Sequence, residues 1–377
     1  MQLRSWVRQI VVASLVLPTL VACSGVANTV VPTAEIGAPL ATATTEPLPA
    51  TATPQPTLEP TVTVVPTATD IPLPADLNVI PLVRGQVTKR PFMMMIDNHP
   101  DAYPQSGLNR ASVVFEALAE YGITRFMAVF PGELTADERH LGPVRSARLY
   151  FVQWAMGFGA FYAHAGGSPA GLELAQSTDQ IINLDALRNE SSNYFFRVET
   201  DTRVAPHNLY TNGTLLQERA AAESVPYTRT DVGFRYRPAL DAAKRGAAQT
   251  FSYFFLYDDA PVGWNYDPAS NNYYRTRYGK AAMDEVSQAQ LATQNVVVIQ
   301  VKEAPIEGDP KSRIDQQVVG SGKGILYRDG LREEITWSKA SPEAPLIFLD
   351  SNGQDVLFTA GQIWISAVPD LANISES

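Results

Sequence analysis

Residues 28–75 set the first limit on how much of this chain can fold. The window of 48 residues holds 10 Pro and 12 Thr, four acidic residues, no Lys or Arg and no aromatic side chain. It cannot bury enough apolar surface to offset the entropy of ordering. Its prolines keep it extended, at ~3.1 Å per residue wherever polyproline II holds, so it reads as a semi-rigid spacer. Thr alternating with Pro also suits O-glycosylation, which composition alone does not decide. Of 377 residues, about 300 are left to fold. That is enough for two domains at roughly 100–200 residues each.

What precedes the spacer has the three parts of an export signal. Arg4 and Arg8 supply the positive end, Ile10 to Leu20 form a short apolar run, and small residues precede Cys23. The run is too short for a hydrocarbon core of about 30 Å, which needs roughly 20 apolar residues. Leu20-Val21-Ala22-Cys23 resembles a bacterial lipobox, in which the Cys becomes the first mature residue and carries lipid. Cys23 is the only cysteine of the chain, and several acyl chains at one terminus anchor stably where one is marginal. The alternative is a plain signal peptide with an incidental Cys. The expected organisation is a signal peptide over 1–22, lipidated Cys23 with its linker over 23–80, and domains over 81–245 and 246–377. The folded part then stands on the extracytoplasmic face of a bacterial membrane, held to the bilayer through Cys23. A lone cysteine excludes an internal disulfide framework and a thiolate zinc site. The net charge of -10, still -8 from Asp76 onward, argues against nucleic acid as a partner.

Downstream of the spacer the hydrophobic pattern changes twice. Phe92–Ile96 is a continuous apolar run ending in Asp97-Asn98-His99, as a buried strand meeting a loop does. Ser112–Leu118 and Thr124–Phe130 predict two more strands, joined through Glu120-Tyr121-Gly122. Ser146–Met156 has helical spacing, with Leu149, Val152, Gln153 and Met156 on one stripe. Phe161–Ala165 is a short apolar run. Gly166-Gly167-Ser168-Pro169 then offers a turn, an N-cap Ser and a Pro at the first helical position. Asn212–Glu223 predicts a helix with Thr214 and Gln217 at capping-box spacing. From about Thr250 β signals dominate. Phe251–Tyr257, Val262–Tyr266, Tyr273–Arg277, Val296–Val301 and Ile363–Val368 read as strands, and Asp329-Gly330 and Asn352-Gly353 as hairpin turns. The expected fold class is an α/β (or α+β) N-terminal domain followed by a mainly β C-terminal domain. The weakly periodic stretch 225–249 marks the boundary.

All four histidines, His99, His140, His164 and His207, fall in the first of these regions. Three lie in loop-like words: Asp97-Asn98-His99-Pro100, Ala163-His164-Ala165-Gly166-Gly167-Ser168-Pro169 and Ala205-Pro206-His207-Asn208. The glycine word has the physical makings of an anion site, since a strand ends, the backbone can approach closely and a helix begins with free N–H groups. Arg145 and Arg148, at the start of the expected helix, would add bidentate contacts to phosphate or carboxylate. The structural alternative is a tight turn, with the arginines paired to Asp or Glu. The candidate ligand-binding residues are Asp97, Asn98, Arg145, Arg148, His164, Gly166, Gly167, Ser168, His207 and Asn208. An enzyme would use Asp97, His99, His164 and His207 as acid–base or metal-binding groups, and Asp97, His99 and Asp101 alternate as strand neighbours or loop ligands do. Yet there is no H-E-x-x-H or G-x-S-x-G, and three unlinked words define no triad. No catalytic residue, metal or cofactor is assigned. Gly320-Ser321-Gly322-Lys323-Gly324 has the wrong spacing for a phosphate loop and reads as a turn. Trp264, Tyr266, Tyr273, Tyr274 and Tyr278 read as cross-strand packing, although sugar rings stack on the same residues.

These words carry a resemblance. Arg90-Pro91, Met95-Ile96-Asp97-Asn98, Pro104-Gln105-Ser106-Gly107-Leu108 and Gly122-Ile123-Thr124-Arg125-Phe126 resemble the YerB-like lipoproteins of bacteria. So do Gly142-Pro143-Val144-Arg145-Ser146-Ala147-Arg148, His164-Ala165-Gly166-Gly167-Ser168 and Pro206-His207-Asn208. Trp264-Asn265-Tyr266, Tyr274-Arg275, Gly322-Lys323-Gly324, Trp337 and Gly361-Gln362-Ile363-Trp364 carry it more loosely. The resemblance implies an exported lipoprotein with an α/β region before a mainly β region and no assigned activity. It departs at Tyr121, where the family tends to have Gly, which argues against a positive φ there. The expected function is an envelope lipoprotein that binds an anionic envelope component, such as cell-wall glycan, or an envelope protein. The alternative is a hydrolase or transferase acting on cell-wall glycan or its phosphorylated precursors.

Overall fold

Strand β1 (Phe92–Asp97) is buried along its whole length because it is covered on both faces. Met93 and Met95 point into one hydrophobic core, and Phe92, Met94 and Ile96 into another. A strand alternates its side chains between faces, so an unbroken apolar run is what a middle layer requires. The computed structural model describes Leu73 and residues 79–134, 140–200 and 202–377. The expected export signal, Cys23 and nearly all of the Pro/Thr-rich tract lie outside the described residues.

Strand β1 belongs to a ten-stranded mixed sheet. On one side it runs parallel to β4 (Phe161–His164), which pairs parallel with the edge strand β5 (Ile182–Asp185). On the other side it is antiparallel to β3 (Ile123–Phe130), the hairpin partner of β2 (Val113–Glu120). Beyond β2 the sheet continues with strands from far down the chain. Ile363–Val368 comes next and is parallel both to β2 and to Asn295–Gln300. Gly320–Arg328, Leu331–Lys339 and Ile347–Leu349 complete the order. An α/β N-terminal part and a mainly β C-terminal part are both present, and they build one sheet in common.

Helix α1 (Leu149–Phe158) lies in the core on one face of this sheet. A second, smaller sheet, with Gln249–Tyr253, Val262–Asp267 and Asn272–Arg277 at its centre, covers the other. Trp264 of that sheet meets Trp364 edge-on at 5.3 Å, and Phe251 stacks on Tyr327 at 3.7 Å. Such aromatic pairs add roughly 0.5–1.5 kcal/mol beyond the area they bury. No helix among the described residues is long and apolar enough to cross a membrane.

Local departures from expectation have physical causes. The helix expected from Ser146 starts at Leu149, and Arg148 is its extended N-cap (φ -132, ψ 154). Arg145 and Arg148 therefore do not share a helical face. The apolar stripe is a nearly all-round buried surface instead, and even at Gly157 a Cβ would stand 2.7 Å from Ala344 O and from Lys339 Nζ. Helix α2 (Pro169–Ser177) starts as expected, Ser168 Oγ accepting from the Gly171 N–H at 3.3 Å. Helix α3 (Gly213–Ala221) is capped by Asn212, whose Oδ1 accepts from Leu215 N–H at 2.9 Å. Gln217 donates to the Gly132 and Leu134 carbonyls rather than closing a capping box. Tyr121 does take a positive φ, 51°, with Gly122 at 77°. The two-residue turn between β2 and β3 is of the type I′ kind, which needs both positive, and strand twist outweighs the side-chain penalty. The Gly320–Gly324 word is strand, not turn, and a Cβ on Gly322 would sit 2.6 Å from Trp337 Nε1.

Candidate functional site

Three segments converge where β1 ends. Residues 142–147 run back along β1, with Asp97 N–H donating to Pro143 O at 2.8 Å and Arg145 N–H to Met95 O at 2.9 Å. The strand Leu209–Tyr210 then joins that segment, Val144 N–H donating to Leu209 O at 2.6 Å. These ladders bring Asp97, Arg145 and His207 together from positions up to 110 residues apart.

The Asp97 carboxylate is 2% exposed and has a full set of partners. Its Oδ2 accepts from His207 Nδ1 at 2.7 Å and lies 3.2 Å from Arg145 Nε, and its Oδ1 accepts from the His99 N–H at 3.1 Å. An ionised carboxylate is an acceptor only, so Nδ1 of His207 is the donor of this bond and Nε2 is left for a further partner. The His99 ring stacks on His207 at 4.5 Å. Its Nδ1 accepts from Asp101 N–H at 3.2 Å and is 3.5 Å from Asp101 Oδ2. An imidazole oriented by a buried carboxylate beside a guanidinium can take up a proton, ligate a metal or bind an anion.

The other candidates have structural partners. His164 is fully buried, with Nε2 2.7 Å from Asn183 Oδ1 and Nδ1 2.9 Å from Gly166 O. Arg148 turns away from Arg145 and joins Arg125 on the Glu120 carboxylate. Burial works against that carboxylate, but the two guanidiniums outweigh it and hold its carboxyl below the usual range. The Gly166 N–H donates to Asp185 Oδ1 at 2.8 Å and the Ser168 N–H to Ala147 O at 3.1 Å. A Cβ on Gly167 would stand about 3 Å from Leu172 and Ala147. The start of α2 is thus closed by its own chain. Asn208 Oδ1 accepts from Arg197 at 2.8 Å.

Asn98 leads out of the cluster. It donates to Thr124 Oγ1 at 2.6 Å and accepts from Gln105 at 3.0 Å, and Thr124 donates to Glu116 at 2.9 Å. Glu116, fully buried, takes Arg275 at 2.9 Å and Trp364 Nε1 at 3.1 Å. Asn98 and Arg275 both line a cleft of about 380 Å³ between the 98–105 loop and the 275–283 segment of the second sheet. Arg277 lies there between the rings of Tyr103 (5.2 Å) and Tyr278 (5.1 Å). Its Nη1 is buried without a hydrogen-bond partner among the described residues, and neither Arg277 nor the exposed Lys280 forms an ion pair among them. Sequence reasoning missed Tyr103, Arg277 and Lys280. The one available signal was Tyr278, at the end of the aromatic cluster.

An α/β part and a mainly β part built on one shared sheet, with a polar cluster at the end of one strand and a basic tyrosine-lined cleft beside it, define the class of protein. Residues 80–226 match the Protein of unknown function (DUF3048) N-terminal domain, and residues 252–365 match its C-terminal domain. The chain belongs to the DUF3048 family. It is 32% identical over 298 residues to "Putative lipoprotein YerB" of Bacillus subtilis (strain 168), across 76% of this chain and 84% of that protein. The crystal structure of YerB protein from Bacillus subtilis matches with a TM-score of 0.66 at 29% identity, covering 77% of this chain and 95% of that one. The resemblance to YerB-like lipoproteins is borne out.

Proposed function

We propose that this chain is a lipid-anchored envelope protein that binds an anionic cell-wall glycan in the cleft between Tyr103 and Lys280. Arg277 carries the reading. A guanidinium held between two tyrosine faces, its Nη2 donating to Tyr278 Oη at 3.4 Å and its Nη1 without a partner among the described residues, offers a charge-assisted donor to an oxyanion. Tyr103, Tyr278 and Met283 supply apolar and ring surface for the body of a sugar. The net charge of -8 from Asp76 onward makes this local basic patch the specific feature. Titration of the protein with purified anionic cell-wall polymer should show saturable binding that weakens as salt rises. Arg277→Gln should weaken it by roughly tenfold or more, the loss of one charge-assisted hydrogen bond. Unchanged affinity in Arg277→Gln and Lys280→Gln together would remove the cleft from the reading.

The anchor rests on Leu20-Val21-Ala22-Cys23 and on the name of the Bacillus relative. Labelled palmitate should enter the wild-type chain and not Cys23→Ala, which should leave the membrane fraction. The enzymatic alternative, action on cell-wall glycan or its phosphorylated precursors, draws on the Asp97–His207 pair at 2.7 Å. It is favoured if His207→Ala keeps glycan binding and loses turnover.

A further inference from the structure

The polar cluster at the end of β1 has a chemistry of its own, independent of the cleft. We infer that His99, Asp101 and His207 form a site for a single divalent transition-metal ion, with zinc the best fit. One nitrogen from each histidine and one carboxylate oxygen of Asp101 all lie within 4.8 Å of one another.

In His207, Nδ1 is engaged by Asp97 Oδ2 at 2.7 Å, which sets the ring orientation and leaves Nε2 as the nitrogen to ligate a metal. A carboxylate that orients a metal-bound imidazole through its other nitrogen is the usual outer partner of such a ligand, and Asp97 is placed to be one. Asp97 is in turn held by Arg145 and the His99 N–H.

His99 and Asp101 supply the other two donors. Their atoms, Nδ1 and Oδ2, are 3.5 Å apart. Two ligands at ~2.1 Å from a tetrahedral zinc stand ~3.4 Å apart, so this pair spans one edge of the polyhedron. The tight turn Pro100–Ala102 produces that spacing by folding Asp101 back on His99. The Asp101 side chain is 65% exposed and the His99 side chain 35%, so both can rotate to close the wider gap to His207. The metal takes the His99 Nδ1 lone pair, which the Asp101 N–H otherwise shares.

The donor set selects the ion. Two imidazoles and one carboxylate suit zinc and its neighbours, whereas calcium and magnesium take oxygen ligands. Three protein ligands leave a fourth position for water or an anionic oxygen, the arrangement of an open zinc site.

The test is calorimetric titration of the full-length protein in detergent with zinc chloride, supported by cobalt substitution, whose visible absorption reports tetrahedral coordination. Wild type is expected to bind one zinc at micromolar or tighter Kd. His99→Ala and Asp101→Asn, both at exposed side chains, should each weaken binding at least tenfold. Asp97→Asn should weaken it by roughly 10–100-fold, as loss of an outer-shell partner does. His140→Ala, outside the cluster, should leave it unchanged. Absence of saturable zinc binding, or affinity equal in wild type, His99→Ala and Asp101→Asn, overturns the site. Glycan binding that survives all of these variants leaves the cleft reading standing by itself.

Discussion

At the scale of single residues, buried charges decide most of what is specific here. Glu116 of β2 is an acid set among apolar neighbours, Val113–Phe115 before it and Ala117–Ala119 after it. What it is for depends on Arg275, 159 residues away, which meets it in the interior while Phe126 and Trp364 lie against the guanidinium. A buried pair of this kind is strongly destabilising to break, because one charge is left uncompensated. Lys339 has no such partner among the described residues. It is buried, and burial first and Arg229 second lower its pKa to about 7, even though its ammonium donates to the Pro342 and Ala344 carbonyls. In the unfolded chain the same group titrates near ~10.4. Between those values the unfolded state holds a proton that the folded state has released. Stability should therefore rise with pH from about 7 towards 10, the buried charge being a penalty at and below neutrality. Lys339→Met should flatten that rise in thermal melts taken across the window. A slope equal to wild type would refute the assignment.

At the scale of elements, local signals predicted existence better than ends. The strands around Phe92–Ile96, Val262–Tyr266 and Ile363–Val368 and the Ser168-Pro169 helix start were legible because period and capping chemistry act within a few residues. The start of α1 was not, because the extended path of Arg145–Ala147 is imposed by β1 and the Gly166 turn, through Arg145 N–H to Met95 O and Ala147 N–H to Gly166 O. The β2–β3 hairpin shows a tertiary demand overriding a local preference. Tyr121 is exposed and holds a left-handed conformation at φ 51. For a non-glycine residue that costs about 1 kcal/mol, partly offset by the greater chain entropy a glycine would lose. Tyr121→Gly should accordingly be neutral to stabilising by up to about 1 kcal/mol, read as a denaturation midpoint. A clear loss of stability would mean that the Tyr121 ring packs in a way the hairpin depends on.

At the scale of the molecule, the ten-stranded sheet makes the two halves of the chain depend on each other. Ile363–Val368 lies between β2 and Asn295–Gln300, and Gln362 Nε2 donates to the Leu108 and Ala111 carbonyls at 2.8 Å. Separated, residues 79–245 would expose the β2 edge and lose the cover of Trp364 over Phe126, on which Trp264 packs in turn. Expressed alone, 79–245 and 246–377 should each lack a cooperative thermal transition, and co-expression should restore one. An independent sharp melt of either half would contradict this.

The amino-acid sequence by itself determined many of the elements, the α/β-then-β order and the family. Those follow from periodicity, turn chemistry and short words, which are local. It also brought Asp97, Arg145 and His207 to notice, as polar residues at the ends of apolar or glycine-rich runs. Only the tertiary structure decided which of them meet. Asp97 and His207 touch, while His164 and Arg148 are absorbed by Asn183 and Glu120. The Tyr103–Arg277 cleft likewise exists only once the second sheet docks on the first. Side-chain partnerships across more than 100 residues are set by register and packing, and neither leaves a mark in the order of residues along the chain.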